Sequence, residues 1–193
     1  MFCVNVGDSR GIVVKYQDNK IVAQAISRDQ KPSQNDEATR ILNCGGRIDS
    51  FRDPDKNPIG PLRVWLKTED IPGLAMTRSF GDEVASRVGV TAEPGKYSET
   101  AFIILLSLIF CAEILELDLC KEDRFIVIAS DGVWEFISND EIAKIVKPFF
   151  DAKNAEKAAE AVVKESYLRW KREEEGIVDD ITCVIVFLDV KLP

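Results

Sequence analysis

No histidine occurs in the 193 residues. That excludes from this chain a Ser-His-Asp or Cys-His nucleophile, a histidine-ligated zinc and a histidine proton shuttle. No C-x-x-C pair occurs either. The five cysteines, Cys3, Cys44, Cys111, Cys120 and Cys183, are scattered and odd in number, the usage of reduced thiols in an intracellular protein, cytoplasmic or nuclear. No basic segment precedes an apolar run at the start, so a signal peptide is not expected. The uncharged run Ala101 to Ala112 has twelve residues, where a bilayer span needs about 20, so no membrane partner is expected. Basic charge is also short: 25 Lys and Arg stand against 33 Asp and Glu, net −8. That balance argues against nucleic acid as a partner and points to cations.

What is present is enough apolar sequence, 46%, for one sizeable core. Phe2 to Val6, Ile12 to Tyr16 and Ile21 to Ile26 alternate between turns at Gly7-Asp8-Ser9-Arg10 and Gln17-Asp18-Asn19, which predicts an antiparallel meander. Glu37 to Asn43 has helical spacing, with Ala38, Ile41 and Leu42 on one face and Gly45-Gly46 as its stop. From Asp49 to Asp70 the prolines at 54, 58 and 61 predict a long irregular loop. Phe125 to Ala129 reads as a strand buried on both faces and ending in Ser130-Asp131-Gly132. Ser138 and Glu141 have capping-box spacing, predicting a helix from Asn139 to Lys147 that Pro148 ends. A second helix is expected from Asn154 to Arg172, with Ala158, Ala161, Val162 and Leu168 inward. Ile181 to Leu188 is the last strand, beginning beside Asp179 and Asp180.

Three acidic turns hold the candidate chemistry: Asp8, Asp131 and the pair Asp179-Asp180. Each carboxylate sits at a strand edge beside Gly, Ser or another Asp. Hard divalent cations take oxygen ligands from several chain segments, so this pattern suits Mg²⁺ or Mn²⁺. The same residue types also make simple Asx turns, and spacing alone does not separate the two.

The blocks taken together go further. Val4 to Arg10 (VNVGDSR), Asp29 to Pro32 (DQKP), Glu37 to Gly46 (EATRILNCGG), Gly73 to Asp82 (GLAMTRSFGD), Gly89-Val90 with Glu93-Pro94, Ala129 to Asn139 (ASDGVWEFISN) and Asp179 to Val186 (DDITCVIV) resemble, in order and interval, the metal-dependent Ser/Thr protein phosphatases of the PPM, or type-2C, family. The resemblance implies an α+β fold, the PPM-type αββα sandwich of two antiparallel sheets with flanking helices, here incomplete at the N-terminus. It implies two or three Mg²⁺ or Mn²⁺ ions in the complete domain and a phosphorylated protein as substrate. It matches Asp131 and Asp179 to core metal ligands and Asp8 to an accessory one. Asp180 and Gly132 fall behind the ligands, Arg78 and Asp82 are expected to orient a loop near the site, and Trp134 and Phe136 to pack below it. Gln30 stands where the family commonly has His, a swap that keeps a polar side chain.

Two departures matter. The family's Arg-Met-Glu-Asp and Asp-Gly-His-Gly-Gly blocks do not occur in this sequence, and with them go a bridging Asp and a phosphate-binding Arg. The expectation is a partial phosphatase domain over residues 1–193, inactive alone. The alternatives are a pseudophosphatase or regulatory binding module without catalysis and, less favoured by its short run, a membrane-associated adaptor. Residues 95–112 form an apolar insertion between Glu93-Pro94 and the strand-like segment Glu113 to Leu117. Codons compatible with Gly95-Lys96 and Cys111-Ala112-Glu113 can supply a splice donor and acceptor that rejoin in frame, so this stretch reads as a possible retained intron. The alternative is a genuine insertion packed on a sheet face.

Overall fold

A computed structural model describes residues 1–17, 20–94, 114–174 and 176–189; the run at 95–112 lies outside them. The elements, in chain order, are β1 (Phe2–Val4), β2 (Arg10–Gln17), β3 (Lys20–Ala25), α1 (Asn35–Asn43), β4 (Arg47–Arg52), β5 (Pro58–Trp65), β6 (Pro72–Leu74), α2 (Glu83–Ser86), β7 (Ile114–Glu116), β8 (Asp123–Ala129), α3 (Asp131–Trp134), α4 (Asn139–Asp151), α5 (Ala155–Glu173) and β9 (Cys183–Phe187). They fall into two units, one of Met1–Cys3, Ser9–Arg28 and Leu115–Pro193, the other of Val4–Asp8 and Asp29–Ile114. Among the described residues no helix is long and apolar enough to cross a membrane.

The first unit is built on an antiparallel sheet in the order β3-β2-β8-β9. Its β-branched strands alternate across the pleat. Ile12, Val14, Phe125 and Val127 point to one face, where Ile142, Ala143 and Val146 of α4 and Ala158 and Val162 of α5 cover them. Val13 and Ile126 point to the other, against Met1, Cys3, Leu115, Leu117 and Leu188. Two expectations change here. The meander forms only in its second half: β2 and β3 pair as expected, but β1 pairs with β7 rather than β2, and Met1 and Leu117 exchange hydrogen bonds across that pair. Nor is β8 buried throughout, since Ile128 is 48% exposed.

Both helices run differently from the sequence pattern. Ser138 and Glu141 do form the reciprocal capping box, but α4 passes through Pro148 to Asp151. A proline interrupts a helix by removing one N–H and crowding the carbonyl four residues back. Here Phe149 and Phe150 pack on the core, Phe150 at 5.6 Å from Phe125 and 5.1 Å from Phe187 between ring centroids, and that anchoring carries the last turn onward. In α5 the buried line is Ala158, Val162 and Ser166, a strict four-residue step. Leu168 falls off that line and is 50% exposed.

The second unit holds a three-stranded sheet, β4-β5-β6, with a core of Ile41, Val64, Ala85, Val88 and Val90. The stretch expected as loop is thus a hairpin. Its prolines are compatible with strand because Pro58 opens β5, and Pro61 lies where the register slips between Asp49 opposite Arg63 and Phe51 opposite Ile59. In α1 the inward residues are Glu37 and Ile41, while Leu42 is exposed.

Candidate functional site

The pairing of β8 with β9 ends at Ala129 opposite Cys183. Beyond it the chain enters Ser130-Asp131-Gly132 on one side and leaves Asp179-Asp180-Ile181-Thr182 on the other. These loops are clasped. The Ser130 N–H donates to the Thr182 carbonyl at 3.0 Å. The Ser130 hydroxyl accepts from the Thr182 N–H at 3.1 Å and donates to the Asp180 carbonyl at 3.0 Å. Gly132 faces that same carbonyl so closely that any Cβ would collide with it, which makes glycine a requirement of the approach. From the core side, the Trp134 indole N–H is shared by the Ala129 and Arg10 carbonyls, and that of Trp170 donates to Gly132. Phe136 stacks edge-on against Trp170, centroids 4.7 Å apart.

Asp131 opens α3, half-buried, with Oδ1 accepting from the Gly132 N–H at 3.0 Å. Asp179 is exposed, and its Oδ1 accepts from the Asp180 N–H at 2.7 Å. The two loops expected to carry metal-binding carboxylates are therefore hydrogen-bonded neighbours at one end of the sheet. Carboxylate oxygens of this kind suit a hard divalent cation. Among the described residues, however, no three Asp, Glu, Cys or His side chains gather in a way that could hold an ion. The first unit contributes a pair of candidate donors, Asp131 and Asp179, with Asp180 supplying the backbone carbonyl of the clasp.

Asp8 belongs to the second unit and is 6% exposed. It follows Gly7, whose φ of 118° lies in the region that side chains avoid. Three residues not expected to matter hold the turn before it. Gln30 is fully buried; its Oε1 accepts from the Gly7 N–H at 2.7 Å and its Nε2 donates to the Asn5 carbonyl at 3.1 Å. Thr77 donates its N–H to the Gln30 carbonyl at 2.8 Å. The Thr77 hydroxyl lies 2.5 Å from Glu37 Oε2 and 2.9 Å from the Gln30 carbonyl oxygen.

Glu37 is the other end of this network. Arg40 binds its two carboxylate oxygens at 2.9 and 2.7 Å, and Arg78 reaches Oε1 at 2.6 Å. Burial on its own would raise this carboxyl, but the hydrogen bonds from Arg40, Arg78 and Thr77 and the Arg78 charge outweigh it and hold it at about 2. Arg78 also donates to the Glu93 carbonyl at 2.6 Å. Asp82 caps α2, accepting from the Ala85 N–H at 2.9 Å. The sequence does carry a signal for this network, an acid four residues before the buried Ile41, on the inward face of α1.

The profile of the family described as Protein phosphatase 2C matches residues 1–173. Among curated relatives, Probable protein phosphatase 2C 52 of Arabidopsis thaliana is 36% identical over 100% of this chain and 36% of its own length. Probable protein phosphatase 2C 34 of the same plant is 34% identical over 97% of this chain and 46% of its own, and Probable protein phosphatase 2C 64 of Oryza sativa subsp. japonica 32% over 100% and 40%. The chain thus spans about a third to a half of these relatives. A solved structure of serine-threonine phosphatase 2C from Toxoplasma gondii superposes with a TM-score of 0.72 at 18% identity, covering 94% of this chain and 52% of that one. A C. elegans sex determining protein does so with 0.62 at 21%, covering 94% and 35%. At these identities the structures establish a shared fold.

Proposed function

We propose, from the premise that this chain belongs to the protein phosphatase 2C family, that it is part of a catalytic domain hydrolysing phosphoserine and phosphothreonine in protein substrates. The observation that carries the reading is the clasp of Ser130 and Thr182, which holds the Asp131 and Asp179 loops side by side. In this reading Asp131 and Asp179 would hold a Mg²⁺ or Mn²⁺ ion, while the match of Asp8 to an accessory ligand rests on the family resemblance alone. The bound ion supplies a water activated for attack on phosphorus. The protein's own part is to fix the two carboxylates: Trp134 and Trp170 anchor the Asp131 turn from beneath, and Gly132 lets the Asp180 backbone come close.

Two carboxylates are few ligands, and cation affinity grows with their number and charge. The 193 residues contain no histidine and no Asp-Gly-His-Gly-Gly block, so the chain assayed alone is expected not to turn over. The test is Mn²⁺ calorimetry beside hydrolysis of a phosphothreonine peptide. Weak Mn²⁺ binding is expected, reduced by either Asp131→Asn or Asp179→Asn and little further by both, with no turnover above background. Independent, additive losses would mean the two acids do not share an ion. Turnover abolished by Asp131→Ala would overturn the inactivity of the chain while supporting the reaction. Residues 95–112 are proposed to be a translated intron, and sequencing of the mature transcript decides it.

A further inference from the structure

We propose that the free edge of β9 is an interface between two copies of this chain: Cys183–Phe187 of one pairs antiparallel with the same strand of the other, about a two-fold axis through Ile185. The surface lies within the first unit and is independent of the metal-binding reading above.

Among the described residues the sheet β3-β2-β8-β9 ends at β9. In an antiparallel pair, alternate residues turn both backbone groups to the same neighbour. The Thr182 carbonyl accepts from the Ser130 N–H, and the Leu188 N–H donates to the Arg124 carbonyl, so Val184 and Val186 between them also face β8. Cys183, Ile185 and Phe187 therefore turn their N–H and C=O groups outward, along the open edge. Natural edges are guarded by a charge, a proline or a bulge. This one has none of the three. Its sequence is Cys-Val-Ile-Val-Phe, and its register with β8 runs without a shift from Ala129 opposite Cys183 to Phe125 opposite Phe187.

Both faces of the strand are apolar. Cys183, Ile185 and Phe187 pack with the core under the helices, whereas Val184 and Val186 are 54% and 45% exposed, with the exposed Ile128 opposite Val184. An occupant of this edge must be extended and apolar on both faces, and β9 itself meets that description. Pairing centred on Ile185 uses every outward group, because it sets Ile185 opposite its own copy and Cys183 opposite Phe187 of the second copy. It also sets Val184 against Val186 of the second copy twice, which joins two exposed apolar strips into one. On the helix side a groove of about 770 Å³, with Ala159, Val163, Tyr167, Ile181 and Cys183 as its apolar lining, opens beside the same strand, so the edge is accessible there as well. A contact in which one patch serves both partners closes at two copies.

The test is sedimentation equilibrium of the whole 193-residue chain at loading concentrations from about 1 to 200 μM, a range that covers a weak pairing. A reversible equilibrium between monomer and dimer is expected. Val184→Lys changes an exposed side chain and sets an ammonium against Val186 of the second copy at two places. The dissociation constant of the dimer is expected to rise by about tenfold or more. Combining Val184→Lys with Val186→Glu sets opposite charges face to face across the axis and is expected to return the constant to near the parent value. Circular-dichroism melts check that each variant is folded; if Val184→Lys is not, Val186→Lys, the other member of the pair, carries the same expectation. A dissociation constant unmoved by a folded lysine variant overturns the proposal, as does an assembly that grows beyond two copies. Failure of the paired charges to restore the dimer overturns the register centred on Ile185. A parent chain that stays monomeric to about 200 μM overturns the interface and leaves the edge to a strand from another polypeptide.

Discussion

Arg78 closes on Glu37 across 41 residues of chain, with Nη2 at 2.6 Å from Oε1 and Nε at 3.1 Å from each carboxylate oxygen. The acid is fully buried and the guanidinium 11% exposed. Removing the charge from one side of a buried pair leaves the other uncompensated, which typically costs more than the pair was worth. Glu37→Gln is expected to lower unfolding stability by about 3 kcal/mol, read from urea melts at pH 7. A loss within error would show that Arg40 and Arg78 find other partners.

The same carboxyl sets an acid limit. Held at about 2 in the folded chain against an ordinary 4.5, it contributes stability that is fully present above pH 5 and lost as pH falls through 4.5 toward 2. The linkage amounts to roughly 3 kcal/mol. Glu141, also held at about 2, chiefly by Arg169 and then by Ser138, acts in the same direction from the surface. Melting temperature measured from pH 6 to pH 3 is expected to fall steeply in the parent chain and less steeply in Glu37→Gln.

Gly132→Ala places a methyl group against the Asp180 carbonyl, so that the backbone of one loop must shift. Overpacking of this kind costs about 1–3 kcal/mol. The expected signature is a lower melting temperature together with weaker Mn²⁺ binding, since the clasp between the Asp131 and Asp180 loops must open. Unchanged melting would mean that the 180–182 loop yields.

Ser138→Ala removes the hydroxyl at the start of α4, together with its 2.7 Å bond to Glu141, and is expected to cost about 1 kcal/mol. Trp134→Phe keeps the buried ring and removes the N–H shared by Ala129 and Arg10, for a loss of about 1–2 kcal/mol. Thermal melts of both variants beside the parent chain check these values; an unchanged Ser138→Ala would mean the first turn is capped by water.

Features encoded over a few residues were legible in the sequence. The Ser138 and Glu141 box, the β2–β3 pairing and the acid at the end of β8 each depend on neighbours within a turn or a hairpin. What the pattern missed depends on distant residues. Glu37 points inward because Arg78 and Thr77, some forty positions on, make burial of a charge tolerable. Strand β1 leaves β2 because its partner comes after residue 113. The β4–β5 hairpin was hidden by prolines whose cost vanishes at a strand start and in a bulge, and Pro148 by aromatic packing that no helix rule includes. At the site, the acidic turns were visible as residue types, whereas the Gln30 amide, an uncharged side chain, announced nothing until Asn5 and Gly7 were in place around it.

That amide also fixes what the turn ahead of Asp8 can sense. An imidazole in its place would exchange a proton near neutrality, but an amide has none to gain, and the Glu37 carboxyl behind it changes charge only in strong acid. With no histidine in the chain, no side chain has an ordinary pKa between about 5 and 8. A titration seen in that window therefore does not come from a side chain at its ordinary value; on the proposed reading a metal-bound water or the second ionisation of a phosphate ester near 6 would supply it. The Gln30 amide and the Glu37 carboxyl thus leave the turn ahead of Asp8 unchanged in charge across that window.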